Sequence, residues 1–115
     1  MRVAFVSMYT LHTRDTYVTR RLARLAGLLA ERGHDVHVLC GRWWDGSHPT
    51  FEQDDITYRV VDGDFSSRLF VSKLPFALRR TDPDVVAVPN SPVSHARAAK
   101  AACRILRVPL VVDWW

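Results

Sequence analysis

Apolar runs of strand length recur at residues 3–7, 36–40, 85–88 and 110–112, each bounded by charged or turn-forming residues. Near-continuous runs of this kind suit strands buried on both faces. Between the first two, Val18, Leu22, Leu25, Ala26 and Leu29 recur at helical spacing, while Arg20, Arg21, Arg24 and Glu31 fall largely elsewhere. That spacing predicts an amphipathic helix. Asp15 or Thr16 is placed to cap its start, and Gly33 is placed to take the left-handed conformation that closes it. Residues 56–61 alternate instead, with Ile56, Tyr58 and Val60 set against Thr57, Arg59 and Val61. They predict an edge strand with one solvated face, its direction left open. Residues 65–80 form a second helical stretch, which Pro75 is expected to kink or split because proline lacks the amide hydrogen and clashes with the preceding turn. A third helix opens at Ser91-Pro92 or at Ser94. It carries Ala96, Ala99, Ala102, Cys103 and Leu106 as a narrow, mostly small-residue stripe, and Val108-Pro109 ends it.

The order strand, helix, strand, strand, helix, strand, helix, strand predicts an α/β domain: a parallel sheet with right-handed crossovers, helices covering both faces. At 115 residues the chain is sized for one such module, and its 48% apolar and 24% charged composition excludes disorder, collagen and coiled coil. Lys and Arg total 16 against 12 Asp and Glu, a net charge of +4. This dispersed excess hints at an anionic partner or surface. Cys40 and Cys103 lie far apart with no CxxC, which suits a reduced, cytoplasmic compartment. The N-terminal apolar run is too short for a signal peptide, and no stretch approaches the roughly eighteen residues of a membrane span. Because the last strand is followed only by Trp114-Trp115, residues 1–115 are expected to be one domain cut from a longer protein.

In open α/β sheets ligands bind beyond the carboxyl ends of the strands, where the strand order reverses. The first such loop, Met8-Tyr9-Thr10-Leu11-His12-Thr13-Arg14-Asp15, holds no glycine. Dinucleotide and P-loop sites both need glycine there, so nicotinamide and nucleoside-triphosphate chemistry are disfavoured and no cofactor is expected. Hydroxyls, an imidazole and a charged pair suit polar neutral ligands such as sugars. Asn90, Ser91 and His95 follow the fourth strand and are expected to face His12 and Asp15 across the switch point. His12 and Asp113 are the candidate acid–base groups. Each of these residues also has a structural reading: Ser91 as a helix cap, Asn90 in a turn, His95 exposed on a first helical turn. His34 and His37 read as structural and His48 as a loop residue. His12, His95 and Asp113 lack diagnostic metal-ligand spacing, so no metal is expected. No GxSxG elbow supports a serine triad. Trp43, Trp44, Trp114 and Trp115 follow strands directly, where indoles either stack on sugars or pack at domain edges; packing is the favoured reading. Arg68, Lys73, Arg79 and Arg80 interleave with apolar residues of the second helix. That suits a core helix with basic residues at its rim, with contact to an anionic membrane as the alternative. No basic stripe interleaved with exposed aromatics points to nucleic acid.

Residues 1–7, the segment Leu25-Ala26-Gly27-Leu28-Leu29-Ala30-Glu31-Arg32-Gly33-His34-Asp35-Val36-His37-Val38-Leu39, Asp82-Pro83-Asp84-Val85-Val86 and Pro109-Leu110-Val111-Val112-Asp113 resemble the N-terminal half of a family 4 glycosyltransferase of GT-B fold. The resemblance covers essentially the whole chain. It implies a Rossmann-like three-layer domain with strand order 3-2-1-4-5. It also implies a retaining transfer from a nucleotide-sugar donor to a glycan, lipid-linked or small-molecule acceptor. The acceptor side of the cleft would lie here, in residues including His12, Asp15, Asn90, Ser91 and His95. The donor-binding half, with the family's paired glutamates, would lie beyond Trp115. Two features depart from the family pattern: Thr10-Leu11-His12-Thr13 stands where many members carry two glycines, and Asp113-Trp114-Trp115 where many carry a histidine. No family catalytic histidine is therefore carried over. In the implied order, strands 2 and 5 end roughly 14 Å apart, so the two tryptophan pairs cannot form one platform. The competing classes are a non-catalytic α/β binding module and a nucleotide-sugar epimerase of the same fold.

Overall fold

The computed structural model describes residues 1–90 and 92–113. Strands β1 (Arg2–Val6), β2 (Asp35–Gly41), β3 (Thr50–Gln53), β4 (Ile56–Asp62), β5 (Val85–Pro89) and β6 (Leu110–Asp113) form one sheet, with helices α1 (Tyr17–Glu31), α2 (Ser67–Thr81) and α3 (Val93–Leu106). The sheet order is β3-β4-β2-β1-β5-β6. Its five long-range pairable strands are all parallel and follow the expected order 3-2-1-4-5.

The difference lies at the edge. The strand expected at the edge over residues 56–61 is not an edge strand, because β3 pairs antiparallel outside β4, from Thr50 opposite Arg59 to Gln53 opposite Ile56. Asp54 and Asp55, with φ of 53° and 63°, make the two-residue turn between them. A turn with both φ positive matches the twist of a hairpin, and aspartate tolerates that conformation better than most residues.

Alternation along the strands divides the core. Val3, Phe5, Val36, Val38, Ile56 and Tyr58 face α1, where Ala26 packs against them. Ala4, Val6, Leu39, Val61, Val86 and Val88 face α2 and α3, which contribute Phe70, Leu74, Leu78, Ala99, Ala102 and Cys103. The small-residue stripe of α3 thus lies on the sheet as its spacing predicts. Cys40 and Cys103 are unpaired and buried, one in each of these clusters.

Thr16 rather than Asp15 caps α1. Its hydroxyl accepts from the Thr19 amide at 3.2 Å, and the Thr19 hydroxyl accepts from the Thr16 amide at 2.9 Å. Gly33, at φ 85°, follows the helix as expected. Pro75 does not split α2, which runs unbroken through it. Pro75 lies on the exposed side, where solvent can take the carbonyl it leaves without a partner, while buried Phe70, Leu74 and Leu78 hold the helix to the sheet on both sides of it. The third helix starts at Val93 with Pro92 at its cap position and no side-chain capping bond. It ends at Leu106, where Arg107 turns left-handed and the Val108 amide reaches back to the Cys103 carbonyl at 2.9 Å.

Candidate functional site

The strand order reverses between β1 and β5. Beyond their carboxyl ends lies a cavity of about 240 Å³, bordered by Ser7, Tyr9 and Arg14 on the β1 side and by Pro89, Pro92 and His95 on the β5 side. The first loop is built without glycine by extending strand pairing and then using hydroxyls. The Ser7 amide donates to the Leu39 carbonyl, and the Gly41 amide to the Met8 carbonyl. The amides of Thr13 and Arg14 then both donate to the Thr10 carbonyl at 3.0 Å, forming a single tight turn. Arg14 comes to rest over the Tyr9 ring, its guanidinium carbon 3.6 Å from the centroid, and Tyr9 in turn stacks on Phe65. A cation held on an aromatic face stays positioned while its N–H groups remain open to an anionic or polyhydroxyl ligand.

On the opposite wall, His95 is 2% exposed and tilts against Phe70. Its Nε2 lies 2.8 Å from the Ser67 hydroxyl at the start of α2. His95 is therefore not the exposed first-turn residue of the structural reading; it borders the cavity. Burial holds its pKa below the usual value. The Asn90 side-chain oxygen, at the end of β5, is buried and has no hydrogen-bond partner among the described residues. Ser91, Trp114 and Trp115 lie outside the described residues, as does the side chain of Asp113, whose backbone pairs with Pro89.

His12 does not face His95 across this crevice. Its ring stacks on Trp43, with centroids 3.5 Å apart and planes within 3°, and its Nε2 lies 2.7 Å from Gln53 Oε1 on β3. Edge contacts of Trp43 with Trp44, Phe51 and Tyr58 complete an aromatic cluster. The Trp44 indole donates to the His48 carbonyl. Burial pushes the Tyr58 phenol up to about 12. The first tryptophan pair therefore follows the packing reading: its energy goes into the β3–β4 edge. Asp15 is exposed and bonded to Arg20, whose hydrogen bonds hold its carboxyl below the usual range. The crevice thus gathers Arg14 and His95, and it leaves His12 and Asp15 engaged elsewhere. Arg14, Tyr9 and Ser67 are the residues that sequence reasoning did not single out. The one available signal was Arg14's place in a glycine-free loop between strand and cap.

A second cavity, of about 200 Å³, lies between α1 and strands β5 and β6, lined largely by aliphatic side chains including Val18, Leu25 and Val111. It offers little to a polar ligand. No cluster of three His, Cys, Asp or Glu side chains able to hold a metal occurs among the described residues. No helix there is long and apolar enough to cross a membrane.

His37 reports on the electrostatics of the sheet. Its Nδ1 accepts from Arg59 Nε at 3.1 Å, and its Nε2 lies 3.0 Å from Asp35 Oδ1. A ring that accepts from arginine is neutral, with its proton on Nε2 facing the carboxylate. Burial lowers its pKa from the usual 6.5, against the pull of Asp35. For His37 and His95 alike the folded pKa is depressed, so the unfolded chain takes up protons first as pH falls. The stability they contribute is complete above about 6.5 and is lost as pH falls from there through the folded values. The melting temperature is expected to be flat above neutrality and to fall across that window, and His37→Gln should shallow the fall. A melting temperature that rises on acidification over the same range would contradict the assignment.

The profile of Glycosyltransferase Family 4 matches residues 18–113, from the first turn of α1 to the end of β6. No curated protein matches the chain. With a mostly parallel sheet and a crevice at its switch point, the family match over residues 18–113 establishes that the chain belongs to glycosyltransferase family 4.

Proposed function

We propose that this domain forms the acceptor side of a retaining glycosyltransferase that moves a sugar from a nucleotide-sugar donor to a glycan, lipid-linked or small-molecule acceptor. The observation that carries this reading is the cavity beyond β1 and β5, walled by Arg14 over Tyr9 and by His95 tied to Ser67. A glycine-free loop keeps backbone amides from closing on a pyrophosphate, so the crevice suits the acceptor better than the donor. Arg14 orients the acceptor through its free N–H groups. Neutral His95, with the Ser67 hydroxyl, gives and takes hydrogen bonds to a sugar hydroxyl, and Asn90 supplies an amide at the end of β5. Ser91 remains part of the proposal, while His12, which borders a separate cavity of about 270 Å³ with Thr10, Gln53 and Tyr58, and Asp15, bonded to Arg20, lie outside this crevice.

Transfer needs donor and acceptor held in one geometry, and that positioning supplies much of the rate. Residues 1–115 alone are therefore expected to release no nucleoside diphosphate from any nucleotide sugar, with or without acceptor. Turnover by this chain, read as diphosphate release, would overturn the division of labour. Backbone-amide NMR during titration with acceptor saccharides should shift Tyr9, Arg14 and His95 together, and Arg14→Ala should abolish the shifts without altering the fold. Shifts centred instead on His12 and Trp43 would move the acceptor to the other side of the loop.

A further inference from the structure

The charge of this chain is unevenly placed. Helices α2 and α3 pack side by side on one face of the sheet. Arg68, Lys73, Arg79 and Arg80 lie on α2, Arg97, Lys100 and Arg104 lie on α3, and neither helix holds an acidic residue. All of these cations are exposed. Among them only Lys73 is ion-paired within the described residues, to the buried Asp62. Half of the twelve acidic residues fall between positions 45 and 64, as Asp45, Glu52, Asp54, Asp55, Asp62 and Asp64, and those nearest the far end of α2 are its exposed C-cap Asp82 and Asp84. A net charge of +4 thus understates the field over the two-helix layer.

The same layer exposes large apolar side chains. Phe76 is 67% and Ile105 79% exposed, with Leu69 at 41% and Val93 at 58%. Leu69 and Phe76 are seven positions apart, on one side of α2, with Lys73 between them. The sheet already takes the other side, through Phe70, Leu74 and Leu78, and likewise takes Ala99, Ala102 and Cys103 of α3. Three of the four exposed groups, Leu69, Val93 and Ile105, are aliphatic and offer no ring on which a base could stack. They suit a boundary where phosphates overlie hydrocarbon.

We propose that the outer face of α2 and α3 docks on an anionic lipid bilayer, its arginines and lysines on headgroup phosphates and Phe76 and Ile105 entering the interfacial layer. The surface is defined by charge and exposure alone, so the inference stands apart from the transferase reading. Sedimentation of the chain with vesicles of phosphatidylcholine, with and without phosphatidylglycerol, tests it. Binding should require phosphatidylglycerol and weaken as salt rises. At about fivefold per charge near the surface, Arg79→Glu with Arg80→Glu should lower affinity by at least about 25-fold. Arg24→Glu with Arg32→Glu makes the same change in net charge on α1 and its C-cap and should cost far less. Phe76→Ser with Ile105→Ser should leave binding at low salt and remove the part that resists salt. These side chains are exposed, and circular dichroism will show each variant folded. The proposal fails if the chain ignores phosphatidylglycerol vesicles at low salt, if neutral vesicles bind it equally, or if the α1 variant loses as much as the α2 variant. It also fails if single-stranded RNA binds more tightly than the vesicles, which would make the face a nucleic-acid surface.

Discussion

Phe70→Ala is expected to destabilise the domain by about 3–5 kcal/mol, a large share of the roughly 5–15 kcal/mol that holds a domain of this kind folded. Phe70 is fully buried, with Leu74 and Leu78 beside it on α2 and Ala99 and Ala102 in the same cluster from α3. Its ring also lies 4.9 Å from that of His95. Truncation removes the transfer energy of an aromatic ring and leaves a cavity that the short side chains of α3 are too small to fill. In urea the midpoint should fall without a change in slope, and the melting temperature should drop by on the order of 10–20 °C. Phe70→Leu keeps most of the volume and should cost less than half as much. A loss below about 1 kcal/mol for the alanine variant would mean that α2 is not anchored at this ring.

The parallel core was legible because burial on both faces writes itself into the sequence as unbroken apolar runs. Residues 3–6, 36–40 and 85–88 contain little else, and each became a central strand. β3 was illegible for the opposite reason. Thr50, Phe51, Glu52 and Gln53 are all exposed, so no alternation marks them. Their turn is Asp54-Asp55, without the glycine that usually announces a hairpin. What looked like an edge strand at 56–61 keeps polar residues because Thr57 and Arg59 share a half-buried face with His37 of β2, to which Arg59 donates. Pro75 misled because proline's cost inside a helix depends on which side it occupies, and that depends on the sheet contact of its neighbours.

At the candidate site, a cavity opens where the strand order reverses, but which side chains line it was not readable. Strand order and the missing glycines pointed to the crevice after β1 and to a ligand other than a dinucleotide. Side-chain direction within an eight-residue loop is set by local bonds that no periodicity encodes. Thr10 accepts two amides, His12 swings toward Trp43 and Gln53, and Arg14 folds back over Tyr9. The pairing of His95 with Ser67 joins positions 28 residues apart through the packing of α3 on α2. Neither residue names the other in the sequence.

Gly41 is where a single methyl group should disturb both fold and crevice. It ends β2, at the point where the register against β4 shifts, and it is buried. A Cβ built there would lie 2.3 to 2.7 Å from three atoms of the Phe65 ring. That ring cannot simply turn aside. Phe65 holds a left-handed backbone at φ 56°, one residue before the Ser66 cap of α2, and stacks on Tyr9 at 5.4 Å. Gly41→Ala is therefore expected to cost about 2–3 kcal/mol as overpacking strain rather than lost burial. The strain should pass along Phe65 to Tyr9 and so to Arg14, shifting the amides of the first loop in an NMR spectrum. Phe65→Gly removes the ring and relieves the left-handed backbone, so adding it to Gly41→Ala should cost less than the two changes summed, by at least about 1 kcal/mol. Strict additivity in that double-mutant cycle would show that the methyl group and the ring do not meet. Phe65 would then have no part in holding the arginine over the crevice.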